Sequence, residues 1–207
     1  MLSCSDMARS PSFCGVILAA GESSRMGRDK ALLPWRDSTF LGGAIDLLAP
    51  LTDMVIVVGG NNAPNLEPLV YAASAFLIVN REPERGQFSS LRLGLQEVMN
   101  HGRDAAIVAL VDRPPARPDT VALLKDRFLE RASEGIWAVV PRHGERNGHP
   151  VVVGREMINA LLSAPPTVTA RDVEHAHLQR IEYVSVDDPL VVWNVDTPED
   201  YRRITSG

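Results

Sequence analysis

The sequence predicts an α/β fold in which helices cover both faces of a mostly parallel sheet, with a short antiparallel element added late in the chain. Three observations carry that expectation. Short, fully apolar runs recur along the chain, and such runs read as strands buried on both faces. Between them lie stretches with apolar residues at helical spacing. Strand-like and helix-like segments alternate, which implies parallel strands joined by right-handed crossovers.

Taken in order, Gly15 to Ala20 is the first buried strand, and it stops at Gly21. Thr39 to Leu51 carries Leu41, Ala44, Ile45, Leu47 and Leu48 at helical spacing, with Ser38 or Thr39 as N-cap and Pro50 as the stop. Met54 to Val58 is a second strand, ended by Gly59-Gly60-Asn61-Asn62. Pro64 to Tyr71 is a short helix and Phe76 to Asn80 a third strand. A polar loop from Arg81 to Ser90 precedes a helix from Leu91 to Met99. Ala105 to Val111 is a fourth strand with Asp112 at its end. Asp119 to Ala132 is helical, and Ile136 to Val140 is the fifth strand.

The pattern then changes. Val151 to Val153 is a short strand, and Pro150 at its start suits an edge or antiparallel position. Met157 to Leu162 and Arg171 to Leu178 are short helices. Ile181 to Val186 and Val191 to Val195 read as strands. Thr197 caps the last helix, with Pro198 at its first position. The whole is a Rossmann-like, three-layer αβα sandwich. Residues 1–12 mix Ser, Asp, Arg and Pro and are expected to be a disordered N-terminal tail, with 13–207 forming one domain.

Composition narrows the partners. The chain of 207 residues is 45% apolar and carries a net charge of −5, so a nucleic-acid surface is not expected. No apolar run is long enough to span a bilayer. The two cysteines, Cys4 and Cys14, offer no disulfide framework or metal spacing, and a cytoplasmic setting is the simplest expectation.

The functional signal lies directly after the first strand, in Leu18-Ala19-Ala20-Gly21-Glu22-Ser23-Ser24-Arg25-Met26-Gly27-Arg28-Asp29-Lys30. A strand that ends in a Gly/Ser loop exposes backbone N–H groups at the carboxyl edge of the sheet, where α/β folds bind ligands. Free N–H groups and two cations, Arg25 and Lys30, suit phosphate. The glycine spacing fits neither a P-loop nor the dinucleotide fingerprint. Two carboxylates, Asp112 and Asp196, stand at strand ends, and Mg²⁺ prefers one or two carboxylates plus phosphate oxygens and water.

Together these segments resemble the MobA-like NTP transferase family, most closely its molybdenum cofactor cytidylyltransferases, a group with the nucleotide-diphospho-sugar transferase type of fold. The glycine loop carries the resemblance. So do Val111-Asp112-Arg113-Pro114, Gly148-His149-Pro150 and Asn194-Val195-Asp196-Thr197-Pro198-Glu199-Asp200. The resemblance implies a cytoplasmic nucleotidyltransferase with Mg²⁺ held by Asp112 and Asp196, and with Arg25, Lys30 and Asp112 catalytic. Leu18, Ala19, Ala20, Gly21, Ser89 and Ser90 would bind the nucleotide, and His149 the acceptor. Leu-Ala-Ala-Gly looks like the cytidylyl branch, which favours CTP. The acceptor would be a phosphorylated small molecule, most readily molybdopterin, with a molybdoenzyme as a further client.

Other readings stay open. Ser89 and Ser90 could simply cap the helix at Leu91, and Asp196 could be a turn carboxylate. The acceptor could be a sugar or polyol phosphate, the nucleotide GTP, or the protein a non-catalytic nucleotide sensor or cofactor chaperone. Arg113, where the cytidylyl branch usually has Gln, Pro115-Ala116-Arg117 after it, and Thr167 to His177 depart from the family pattern on the acceptor side.

Overall fold

The computed structural model describes residues 11–21, 26–165 and 167–205. In chain order its strands are β1 (Phe13–Leu18), β2 (Pro34–Trp35), β3 (Ser38–Thr39), β4 (Met54–Gly59), β5 (Phe76–Val79), β6 (Ala105–Leu110), β7 (Ala138–His143), β8 (Arg146–Asn147), β9 (Val151–Gly154) and β10 (Ile181–Ser185). The helices are α1 (Phe40–Leu48), α2 (Ala63–Ala72), α3 (Gln87–Asn100), α4 (Pro118–Arg131), α5 (Arg155–Ser163), α6 (Ala170–Ala176) and α7 (Pro198–Thr205).

The main sheet runs β10-β7-β9-β6-β1-β4-β5, with β8 beside β7. All its neighbours pair in parallel except β9, which is antiparallel to both β6 and β7, and β8. Pro150 therefore starts an antiparallel strand, but an interior one.

Alternation along β1 explains the layers. Phe13 and Ile17 face a core shared with α1, α2 and α4, while Cys14, Val16 and Leu18 face a second core under α3, α5 and α6. Burial pushes the Cys14 thiol up to about 12. Gly94 lets α3 approach closely: a β-carbon there would lie 2.7 Å from Val16 Cγ1. At the N-terminal end, Ser12 is buried and donates from both its backbone N–H and its hydroxyl to Asp104 Oδ2.

Three sequence expectations change. Val191 to Val195 is not a strand: Pro189–Val192 forms a 3-10 turn, although Val191 and Val195 are fully buried. The fifth strand is shifted to Ala138–His143. Helix α3 starts at Gln87 with Gly86 as its N-cap, so Ser89 and Ser90 lie inside the first turn and do not cap it. Gly86 has φ +89°, a conformation that side-chain-bearing residues seldom adopt.

Candidate functional site

The chain runs from β1 out to β4 and β5, then returns to place β6 on the other side of β1. That reversal is the topological switch point at which open α/β sheets form a ligand crevice. Leu18 pairs with Val58 on one side and with Leu110 on the other. Gly21 after β1, the Gly60–Asn62 turn after β4 and Asp112 after β6 therefore emerge at one edge.

Lys30 reaches the same place from the 3-10 turn Lys30–Leu32. Asp29 caps that turn by accepting from the Ala31 N–H at 3.0 Å. Asn62 holds it against the sheet, donating to Asp29 Oδ2 at 2.7 Å and to the Ala19 carbonyl at 2.9 Å. Lys30 Nζ in turn donates to Asp196 Oδ1 at 2.7 Å. Asp196 is set by two backbone devices. The Val195 N–H donates to the Asp112 carbonyl at 2.8 Å, and Asp200 accepts from the N–H groups of Asp196 and Thr197. Thr197 and Asp200 also satisfy each other reciprocally, as a helix-capping box does. Thr197 thus begins α7 as the sequence implies.

Asp112, Lys30 and Asp196 influence one another electrostatically. Burial lifts the Asp112 carboxyl above the usual range, and the charge of Asp196 adds to that lift. Arg113 and Lys30 oppose it. Asp112 Oδ1 is enclosed and accepts no hydrogen bond among the described residues. An orphaned buried carboxylate oxygen signals an absent partner.

Two cavities open from this edge. The smaller, about 280 Å³, is lined by Leu18, Ala20, Gly21, Lys30, Gln87, Ser90 and Asp112, among others. The larger, about 820 Å³, contains Leu18, Ser89, Arg113 and His149 in its lining. Leu18, Gly86 and Gln87 line both, so the cavities adjoin. Of the residues expected at a nucleotide, Leu18, Ala20, Gly21, Ser89 and Ser90 are therefore at a cavity. Ala19 is not: it is buried, and its backbone is spent on Val58 and Asn62. Arg25 lies outside the described residues.

His149 is brought into the larger cavity by Gly148, whose backbone packs so closely on the Val191 carbonyl that a β-carbon would collide with it. Burial pulls the imidazole down to about 3, and the nearby charge of Arg113 adds to the effect. The ring is therefore neutral at physiological pH.

Sequence reasoning missed Asn62 and Asn80. Asn80 donates to the hydroxyls of Ser89 and Ser90 and accepts from the Glu82 N–H, which pins the loop before α3. Both asparagines follow strands in turn-like sequence; the partners of Asn62 are distant in the chain, and those of Asn80 lie within ten residues of it. The other histidines sit elsewhere, His177 against Trp137 and His101 against Phe76.

The sequence profile of the MobA-like NTP transferase domain matches residues 15–181. A molybdenum cofactor guanylyltransferase from Xanthomonas euvesicatoria is 37% identical, over 92% of this chain and 93% of its own. A nicotine blue oxidoreductase from Paenarthrobacter nicotinovorans is 31% identical over 94% and 97%. The molybdenum cofactor cytidylyltransferase of Escherichia coli is 26% identical over 90% and 92%. Among solved structures, Rv0371c of Mycobacterium tuberculosis superposes with a TM-score of 0.79 at 28% identity, covering 96% of this chain and 99% of that one. A second structure of that protein, in complex with manganese, gives a TM-score of 0.74 at 25% identity, over 95% and 99%.

Proposed function

The chain belongs to the MobA-like NTP transferase family and is a nucleotidyltransferase; we propose that it transfers CMP from CTP to a phosphate-bearing acceptor and releases pyrophosphate. One observation carries the reading. Lys30 and Asp196, remote in sequence, meet at 2.7 Å beside Asp112 at the switch point of the sheet.

In the proposed reaction an acceptor phosphate oxygen supplies the electron pair for a new bond to the α-phosphorus. The bond from that phosphorus to the bridging oxygen breaks, and pyrophosphate leaves with its electrons. The attacking oxygen is already anionic, so no proton need move there. What the protein contributes is placement and charge.

Lys30 is assigned to the leaving pyrophosphate, as a point charge whose position is fixed by Asp196 and, through Asp29, by Asn62. Arg25 is proposed to assist it. The loop from Leu18 to Gly21, with Ser89 and Ser90, is proposed to receive the nucleotide, and His149 to face the acceptor.

Asp112 and Asp196 fit a divalent cation. Both are oxygen donors, and the buried Oδ1 of Asp112 lacks a partner among the described residues. When bound, Mg²⁺ would offset charge on the α-phosphate. Two carboxylates leave the rest of such a cation's coordination to substrate phosphates and water.

The preference for CTP rests on Leu18-Ala19-Ala20-Gly21 and on the name of the Escherichia coli relative. Molybdopterin is the first acceptor to test, since two of the relatives above are named for the molybdenum cofactor. The experiment measures pyrophosphate release with each of four NTPs, Mg²⁺ and molybdopterin or a sugar phosphate. Release with CTP and molybdopterin is expected. Release with GTP only would shift the base assignment. Saturable NTP binding with no release from any acceptor would favour a sensor.

A further inference from the structure

Pro115-Ala116-Arg117, which departs from the family pattern, meets Asp187-Asp188-Pro189 from the far end of the chain. Asp188 is 1% exposed. A carboxylate buried to that depth is costly unless its oxygens are hydrogen-bonded. Its Oδ2 accepts from the Arg117 N–H at 2.8 Å and from the Thr120 hydroxyl at 3.0 Å, and its Oδ1 accepts from the Leu190 N–H at 3.1 Å. Arg117 Nη1 adds a bond to the Asp187 carbonyl at 2.9 Å.

One side chain thereby joins two helical ends. A carboxylate is favoured beside a helix N-terminus, and Asp188 supplies one to α4, whose N-cap residue Arg117 makes no side-chain cap. Asp188 is also the N-cap of the 3-10 turn Pro189–Val192.

That turn carries the Val191 carbonyl. Arg113 Nη1 donates to it at 2.8 Å and the His149 backbone N–H at 2.9 Å. Both side chains line the larger cavity. Arg113 Nε and His149 Nδ1 make no hydrogen bond among the described residues, so the shared carbonyl is what aims the two residues. Val191 and Val192 are buried, but apolar burial is non-directional. It sets the depth of the turn and leaves the direction of its carbonyls to hydrogen bonds, and those of Asp188 are at its start.

We infer that Asp188 is a positioning residue for the transfer reaction: it ties the turn 189–192 to α4 and so holds the Val191 carbonyl where it orients Arg113 and His149 in the larger cavity. The inference rests on the transferase reading and adds to it a residue that touches no substrate. Asp196 is held separately, by the bond from Val195 to the Asp112 carbonyl and by Asp200. The tether therefore bears on the acceptor and not on CTP.

The test uses the full chain and Asp188→Asn. The amide has one acceptor oxygen, so it can serve the start of α4 or the turn but not both. Pyrophosphate release is followed with CTP, Mg²⁺ and molybdopterin, or the sugar phosphate if that is what supports release. The KM for the acceptor should rise about tenfold, with the Kd for CTP within about twofold of the unmodified chain. The second readout needs no acceptor: exchange of the Arg113 Nε–H with water, by NMR, the signal being assigned by its loss in Arg113→Lys. That group is enclosed, and in Asp188→Asn it should exchange about tenfold faster. Asp104→Asn, at the opposite end of the sheet, should lower Tm and move neither readout. The inference requires both changes; a lower Tm with an unmoved KM or unmoved exchange makes Asp188 structural only and overturns it. If Asp188→Asn fails to fold, Arg117→Ala decides: it removes the surface bond to the Asp187 carbonyl and should shift both readouts about threefold in the same direction. If the unmodified chain releases no pyrophosphate from any NTP, the transferase reading falls and the inference with it. Normal release with both readouts unmoved leaves the reading standing and removes the inference alone.

Discussion

Replacing Lys30 by methionine keeps the length and apolar stem of the side chain and deletes its charge. The proposed role makes that charge a preorganised stabiliser of the departing pyrophosphate. Removing one such group from a transition-state site costs about 10²–10³ in kcat, or ~2.7–4 kcal/mol. The stability effect should be much smaller. The Lys30 side chain is 11% exposed but that of Asp196 is 32% exposed. Breaking a fully buried pair costs ~3–5 kcal/mol and a surface pair at most ~1 kcal/mol. With one end reaching solvent, a cost of about 1–2 kcal/mol follows, and Tm should fall by ~2–8 °C in a chain of this size. The assay pairs steady-state pyrophosphate release with a thermal melt of the same preparation. A variant that melts slightly early and turns over two orders of magnitude slower supports the assignment. Turnover within about threefold of the unmodified chain, with saturating CTP, would refute it, because an interaction made in the transition state must lower kcat.

Three further outcomes follow from the geometry. Asn62→Ala should raise the Kd for CTP by about tenfold with the fold intact, since it frees the Lys30 turn from the sheet and leaves the Gly60 N–H without its side-chain acceptor; a Kd unchanged in calorimetry would contradict that coupling. Gly94→Ala should destabilise by ~1–3 kcal/mol in urea melts, because its β-carbon would meet Val16 and Val58 at 2.7 and 3.1 Å; wild-type stability would mean that α3 does not pack this closely. The Asp104 carboxyl is held down to about 2, first by the Ser12 backbone N–H and then by Arg155 and the Ser12 hydroxyl. A depressed carboxylate lends stability that is fully present above its ordinary value and is lost as pH falls through the depressed one. Asp104→Asn should therefore cost at most about 1 kcal/mol at pH 7, given its solvent exposure, and the difference from wild type should close between about pH 4 and pH 2. A gap that stays constant across that range would exclude the carboxylate as its source.

Much of this was readable from the chain because the signals are local. Buried parallel strands announce themselves as apolar runs, and the ends of β1 and β6 follow directly from Gly21 and Asp112. Parallel pairing then requires those ends to share an edge, so the shared edge of Gly21 and Asp112 was foreseeable from topology, whereas Lys30 and Asp196 reach it from a 3-10 turn and from the segment before α7. What failed is non-local. Val191 to Val195 is as apolar as a strand, yet its carbonyls are taken up by Arg113, Arg146 and His149, and the segment packs as a turn over the core. Nothing in periodicity distinguishes those fates. The insertion of β9 between β6 and β7 likewise depends on distant partners. The roles of Asn62 and Arg113 show only when residues far apart in sequence are seen to share atoms.

The most direct test of the central claim is a crystal of the full chain with CTP and Mn²⁺, read by the anomalous signal of the metal. The account predicts the metal between the carboxylates of Asp112 and Asp196, with the triphosphate along the glycine loop and within reach of Lys30. A metal bound elsewhere, or a nucleotide that leaves Asp112 and Lys30 untouched, would contradict it.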